Sequence, residues 1–428
     1  MNFRPWLKLW MLVLSVHTAQ LHASPQNDTL RIGIAGSEQQ FIQNNLTLLA
    51  TKYNIDVNKA LIRQAKFWDN PVISTDQNIY NKQGKFFKHD GINGQIYIQA
   101  MQLIKTAGKR NKLAQLAADN ATITSAQFDD LVRTLRFQLI SDLYEILNQL
   151  NIRYVYNSEI NELQTLVSGM DEQLKAGNIS LKDNLRVKAL LFSLQNELVN
   201  IDAQLFPLQN EVKLLLRNTD SSFVLPVLNY YLPDLINEPL PSVDTIQQIA
   251  AVNRPDIRIA NSQLLYAKDN LTYQKSLAKA DISIGTEYDQ RSSYAPDYVG
   301  LTIAFPLNIL NRNQGNISSA QFGIRQQQAL YDAQLSKVQS DITSSIAKIK
   351  YYQQVNNPQQ LEFARQYESV FQNMIRSYRD RQVSLLEFID FTDAYNDTRL
   401  KILEQHNSLI KAIAELNFLA GQDIINLN

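Results

Sequence analysis

Residues 280–305 read ADISIGTEYDQRSSYAPDYVGLTIAF, inside a chain that otherwise reads as long helices. Ile282, Ile284 and Tyr288 alternate with Ser283, Gly285, Glu287 and Asp289; on the return, Val299, Leu301, Ile303 and Phe305 alternate with Gly300, Thr302 and Ala304. Period-two alternation marks a strand with unlike faces. Each arm is close to the ~9–11 residues with which a barrel strand crosses a bilayer. The same pattern also describes an edge hairpin packed on a helix, so the decision lies in what the rest of the chain supplies.

The chain has 428 residues, 45% of them hydrophobic, and its 41 basic and 41 acidic side chains balance. Such a composition is neither disordered nor that of a nucleic-acid binder, so no polyanion partner is implied. At the start, Arg4 and Lys8 precede an apolar run over 9–16, and Leu21-His22-Ala23 suits cleavage, so residues 1–23 read as a secretory signal peptide. The absence of cysteine excludes thiolate metal sites, disulfides and a lipid-anchored N-terminal cysteine. Beyond residue 16 no apolar stretch approaches the ~20 residues of a membrane helix, so a chain that crosses a membrane must use strands.

From 109 to 168 there is neither Gly nor Pro, and Phe128, Leu131, Leu135, Leu139, Leu143, Ile146, Leu147 and Leu150 recur at helical spacing. A second helical region is expected over 324–350 and, beyond Pro358, on to 420, with Val338, Ile342, Ile346 and Ile349 on one stripe. Long helices with narrow apolar stripes call for coiled-coil packing. Pro226, Pro233, Pro239 and Pro241 make 218–244 a connector. Ser242 is placed to cap a helix over 243–252, and Pro255 to open the next.

The two halves align. AKFWDNPVISTDQNIY (65–80) corresponds to LAKADISIGTEYD (277–289), and 91–117 to 298–321, with Gly94 against Gly300 and Gly108 against Gly315. LKAGNISLKD (174–183) corresponds to YRDRQVSLLE (378–387), with Ser180 against Ser384. The offset stays at roughly 204–210 residues, the mark of a tandem duplication in which each copy carries helix, hairpin, very long helix, turn and helix. The copies are 24–217, with a hairpin at about 71–104, and 245–428, with a hairpin at about 280–306. In the first hairpin Ile92, Ile96 and Ile98 alternate with Asn93, Gln95, Tyr97 and Gln99, while its other arm is more polar. Two hairpins give four strands, too few to close a barrel, and lipid tolerates no open sheet edge. Transmembrane strands therefore require oligomerisation around a shared barrel.

The order of NRPDIRIANSQLLYAKDNL (253–271), ADISIGTEYD, YVGLTIAFPLNILNRNQGNISSAQ (298–321), AGKRNK (107–112) and NFLAG (417–421) resembles the TolC-type outer-membrane efflux channel family over essentially the whole chain after the leader. The resemblance implies a mainly α fold with a β-barrel portion. In it a homotrimer shares a twelve-stranded barrel, four strands per chain, set in outer-membrane lipid, and its helices continue as a tunnel through the periplasm. Apolar alternation would then face lipid, and Tyr288, Tyr294 and Tyr298 would suit an interfacial aromatic belt. It also implies a passive exit duct of a tripartite efflux or secretion system, partnered by a periplasmic adaptor (membrane fusion) protein and an inner-membrane pump, with no cofactor.

In this family the second periplasmic turn carries a Tyr and two acids, at places held here by Tyr378, Glu387 and Asp390; in a trimer the acids would form two carboxylate rings at an aperture. The chain departs from the pattern in having Arg381 where the family's turn has Gly, kept in the first copy as Gly177, and Val383 where a basic residue is common. Arg379 and Arg381 are the substitute gating partners. The tips, 176–181 and 380–385, with Gly177, Asn178, Ser180, Val383 and Ser384, are where the adaptor would dock. AGKRNK is similar to a heavy-metal branch, yet only His89 and His406 remain after the leader, and no soft-metal ligand cluster is visible. No GxSxG, HExxH, P-loop or GxGxxG is present, so the chain does not read as an enzyme. The rival reading is a periplasmic helical adaptor or scaffold without a pore.

Overall fold

The computed structural model describes residues 29–427 apart from 84, 88–93, 229 and 231. The leader expected over 1–23, His89, and Ile92 and Asn93 of the first alternation lie outside the described residues. In chain order the elements are β1 (Thr29–Ile32), α1 (Ile34–Asn44), α2 (Leu46–Ala65), β2 (Val72–Gln77), β3 (Tyr80–Asn81), β4 (Lys85–Phe86), β5 (Ile96–Ile104), α3 (Lys109–Lys175), α4 (Leu181–Leu216), β6 (Phe223–Pro226), α5 (Leu232–Asn237), α6 (Val243–Asn253), α7 (Pro255–Leu277), β7 (Ile282–Arg291), β8 (Pro296–Ala304), α8 (Gln314–Val355), α9 (Pro358–Arg379) and α10 (Leu385–Ala420).

The 67 residues of α3 make a rod of about 100 Å. It continues past the expected end through Gly169, because one glycine costs a helix interior only about 1 kcal/mol and the flanking Leu166 and Met170 are buried. Two apolar faces of this rod serve two cores. Leu139, Leu143 and Ile146 pack with Leu205 and Val212 of α4, whereas Ile140 and Tyr144 pack with the stripe Val338, Ile342, Ile346 and Ile349 of α8 and with α10. The second copy splits the rod in two: α8 runs over Gln314–Val355 rather than 324–350, and Pro358 occupies the first turn of α9 after a break at Asn356 and Asn357. Among the described residues no helix is long and apolar enough to cross a membrane.

Helices α4 and α10 are both 36 residues long and start 204 residues apart. Each is preceded by a serine N-cap, Ser180 or Ser384, and followed by a left-handed residue, Arg217 (φ 53) or Gly421 (φ 76). Helices α6 and α7 begin as expected, at the Ser242 cap and with Pro255 in the first turn. The proline-rich stretch is more structured than a bare connector: β6 within it pairs in parallel with β1, and Pro226 is tolerated as the last residue of a strand with one free edge.

A four-stranded antiparallel sheet in the order β2-β5-β7-β8 joins the copies through β5 and β7. Strands β5, β7 and β8 have 9, 10 and 9 residues; β2 has only 6, because the chain turns aside into the short β3–β4 pair. Register sets Ile98, Tyr288 and Val299 in one row and Thr286 beside Leu301, then Ile284 beside Ile303, on one face. The opposite face gathers polar groups: Tyr97 donates its hydroxyl to Glu287 Oε2 at 2.9 Å, Gln99 Nε2 donates to the same oxygen at 3.1 Å, and Gln95 Nε2 donates to Asp289 Oδ1 at 2.5 Å. Gly285 on this face is obligatory, since a Cβ would lie 2.5 Å from Ala100 O. Tyr298 departs from expectation. It shares the Gly300 face, and its ring occupies the space where a Gly300 Cβ would sit, 2.6 Å away, so it covers a glycine on the polar side instead of joining a belt on the apolar one.

The motifs that carry the family resemblance prove to be joints between elements. Gly108 turns left-handed (φ 67), and the next residue, buried Lys109, reaches Asp281 Oδ1 at 2.6 Å and Lys279 O at 2.7 Å, fastening AGKRNK to the start of β7. Asn313 (φ 59) donates Nδ2 to Gln274 O at 2.8 Å. Arg254, in NRPD, is buried, pairs with Asp256 Oδ2 at 2.5 Å and donates to Leu419 O at 3.2 Å in NFLAG.

Glu159 of α3 is 2% exposed and faces Asn396 and Arg399 of α10. Burial raises its carboxyl to about 8, with Asn396 and Arg399 opposing. A carboxyl whose folded pKa lies above its unfolded value stabilises the fold below the unfolded value, and that contribution is lost as pH rises towards 8. Half-buried His406, pushed down to about 4 by desolvation and Arg399, acts oppositely below about pH 6.5, where the unfolded imidazole takes up a proton. We expect Glu159→Gln to raise the thermal midpoint at pH 8 and to flatten the fall in stability between pH 6.5 and 8, by roughly 1–3 kcal/mol. Parallel wild-type and variant melting curves across that window would disprove the assignment.

Candidate functional site: the helix tips

Both tips are built by the same backbone solution to helix reversal. At the first, Gly177 takes φ 74, Gly177 N–H donates to Leu174 O at 3.0 Å, and Asn178 N–H donates to Gln173 O at 2.9 Å. At the second, Arg381 takes φ 58, with Arg381 N–H to Tyr378 O at 3.0 Å and Gln382 N–H to Ser377 O at 2.8 Å. These are Schellman closures, which favour glycine at the left-handed position. Arg381 thus adopts the backbone of the glycine it replaces.

The next helices start differently. Ser180 Oγ accepts from Asp183 N–H at 3.1 Å. Ser384 Oγ accepts from Glu387 N–H at 3.2 Å while Glu387 Oε2 accepts from Ser384 N–H at 2.7 Å, a complete capping box. The Ser384 backbone N–H, and then its hydroxyl, hold the Glu387 carboxyl below its ordinary range. Glu387 therefore carries a structural duty besides its charge. Asp390, one turn further along the same exposed face, has its carboxylate open to solvent and raises Asp393 after that group's own burial has done so.

Tyr378 is turned inward. Its ring stacks on Phe388 at 4.9 Å and 17°, and burial, with Asp183 of the first tip, raises its hydroxyl pKa. The first copy has Asn184 at the position of Phe388, 1% exposed, donating to Asp171 Oδ1 at 2.9 Å; Asp171 in turn holds Lys188 at 2.7 Å. One tip is locked by aromatic stacking and the other by a polar chain. Between them lies a groove of ≈ 510 Å³, where Arg379, Arg381, Val383 and Tyr378 face Gly169, Met170 and Gln173 of α3. Glu387 and Asp390 do not line it, so within one chain the arginines and the predicted aperture acids are not brought together. Sequence reasoning missed Phe388 and the α3 side of the groove; the helical position after Glu387, where a capping box favours an apolar residue, was the available signal for Phe388. Among the described residues no cluster of three metal-ligating side chains occurs.

Comparison with solved structures follows this geometry. The chain superposes on CusC, described for its folding and transmembrane channel formation, with a TM-score of 0.73, 15% identity, and 91% of this chain and 92% of that one covered. This is the outer-membrane channel fold. The outer membrane protein VceC of Vibrio cholerae matches at TM-score 0.70 and 12% identity, covering 92% and 97% of the two chains. The open state of the Neisseria gonorrhoeae MtrE outer-membrane channel matches at 0.67 and 13%, covering 91% and 89%. No protein-family model and no curated protein matches the sequence. The channel fold accommodates both copies, with mainly α architecture and a β portion in each, as the sequence resemblance implied.

Because a non-glycine residue in the left-handed region costs about 1–2 kcal/mol, Arg381→Gly should slow hydrogen exchange of the amides over 381–385. Gly177→Arg should speed exchange at 177–181 and lower stability by about 1 kcal/mol. Equal and unchanged protection in both variants would show that neither turn is strained.

Proposed function

We propose that the protein is an outer-membrane channel-tunnel, the passive exit duct of a tripartite efflux or secretion system, exported by its leader and assembled as a homotrimer with its helices in the periplasm. The observation that carries this reading is the four-stranded sheet with one apolar and one hydrogen-bonded polar face, whose outer strands β2 and β8 each leave an edge without a partner among the described residues. In lipid such edges must pair, and three copies placing β8 beside the next β2 would close twelve strands. The polar face around Glu287 and Asp289 would then line the pore.

A second feature supports the trimer. Leu185, Phe192, Val199 and Phe206 repeat at seven-residue spacing on α4 and are exposed, Phe192 at 66% and Phe206 at 67%. On a long helix such a seam is a coiled-coil face awaiting a partner. Replacing Phe192 and Phe206 together by Asp should convert the trimer to monomer in detergent, read as oligomer mass; an unchanged trimer would place the protomer contact elsewhere.

At the periplasmic end the tips would meet the adaptor, and rings of Glu387 and Asp390 would line an aperture whose opening follows engagement of adaptor and pump. Since the two arginines face the groove within the chain, any bond they make to these acids would run between protomers. Single-channel conductance tests this with Glu387→Gln, which keeps an acceptor for the capping box, and Asp390→Asn. We expect cation-preferring conductance from the wild-type trimer and a several-fold fall in cation preference in the double variant. Conductance indifferent to both changes would move the constriction elsewhere, and a monomer that never inserts would favour the helical scaffold instead.

A further inference from the structure

The chain is electrically balanced as a whole, but its charge is not evenly placed. The four helix–strand junctions, residues 63–70, 105–112, 275–281 and 305–314, hold nine basic residues against two acidic ones, Asp69 and Asp281. Both acids are already engaged, by Lys105 at 3.0 Å and Lys109 at 2.6 Å. Arg63, Lys66, Lys275 and Lys279 are exposed, and none of them has an ion pair among the described residues. At the other end of the same sheet the described residues of the turns, 78–83, 85–87, 94–95 and 289–297, hold three basic residues against two acidic ones.

Apolar groups share the basic end. Trp68 is 59% exposed with the Arg110 guanidinium 3.9 Å above its ring, and Leu307, Ile309 and Leu310 stand out from the loop after β8, Leu310 at 89%. Beside Trp68 a groove of ≈ 540 Å³ opens between α2, α3 and α7, with Lys105, Tyr266 and Tyr273 on its walls. Exposed aromatic and aliphatic groups set among unpaired cations form the pattern of a surface seated at a lipid headgroup layer, where the chains take the apolar groups and the phosphates take the cations.

We infer that this junction belt binds the anionic glycerophospholipid headgroups of the membrane leaflet facing the helices, and thereby fixes the depth and polarity of insertion. The inference rests on the membrane reading of the sheet. Its occupant follows from charge: the belt has an excess of seven positive charges per chain, three copies would triple it, and a zwitterionic headgroup offers no net counter-charge.

The test is a titration of the purified, detergent-solubilised protein with dihexanoyl-phosphatidylglycerol and dihexanoyl-phosphatidylcholine, read as bound lipid by native mass spectrometry. It is repeated with Lys66→Gln, Lys275→Gln and Lys279→Gln combined, and with Lys82→Gln and Lys85→Gln combined at the opposite end. We expect phosphatidylglycerol to bind at least tenfold more tightly than phosphatidylcholine. The junction variant should weaken it on the order of 100-fold, and the opposite-end variant should leave it unchanged. Equal binding of the two lipids, loss only in the opposite-end variant, or displacement of phosphatidylglycerol by an equal concentration of inorganic phosphate would each overturn the inference. Conductance without lipid preference overturns the belt and leaves the channel reading standing, whereas the expected lipid pattern in a protein that never conducts supports the belt and overturns the duct.

Discussion

A strand edge without a partner cannot be left in hydrocarbon, and four strands cannot close on themselves. The proposed assembly turns on that constraint. The ladder between β5 and β7 uses the inner edges of the two hairpins and leaves the outer edges, on β2 and β8, unpaired among the described residues, open to the proposed assembly. The same ladder fixes which side chains share a face, because a slip of one residue would exchange the apolar row of Ile98, Tyr288 and Val299 for the polar one of Tyr97, Glu287 and Asp289. The joints at Lys109–Asp281 and Asn313–Gln274 then transmit that register to the helices, so the placement of the rods is decided at their attachment to the sheet.

The two copies keep a backbone and vary the chemistry that holds it. The left-handed positions that end helices are Gly then Arg at the tips, and Arg then Gly at the far ends of α4 and α10. Glycine is the low-cost residue at such a site. At the second far end it is required for space as well, since a Cβ on Gly421 would come within 3.0 Å of the Asn253 backbone. At the second tip no such crowding forbids arginine, and the capping box and Phe388–Tyr378 stack stabilise the turn.

Much of this was legible in the sequence, for identifiable reasons. Alternation revealed β7 and β8, and the stripes of Val338, Ile342, Ile346 and Ile349 and of Leu139, Leu143 and Ile146 marked buried faces, because periodicity and burial share one cause. The serine caps were legible because capping is local. The face of Tyr298 could have been read from its period-two relation to Gly300; what was not legible was that β2 stops short where the chain diverts into β3 and β4, which alternation does not signal, and that a strand hides among the prolines because β1, distant in sequence, lies alongside it. At the site, residue types placed Tyr378, Arg379 and Arg381 at one turn, but only the packing of α3 against that turn made a groove of it. The capping duty of Glu387 could have been read from Ser384 three residues before it.

The interruption between α8 and α9 sets one half of each chain apart mechanically. Pro358 supplies no amide hydrogen, and Asn357 diverts its side chain to cap Gln360 N–H at 3.0 Å, so the backbone ladder that stiffens a helix is absent over that short stretch. The corresponding level of α3 has Tyr154 and an unbroken ladder. A sideways force on the lower end of the second-copy hairpin would therefore concentrate its bending at Asn356 and Asn357, while in the first-copy hairpin α3 runs on unbroken and only Pro207 of α4 removes a ladder bond without ending its helix. Each chain pairs a jointed strut with a stiffer post.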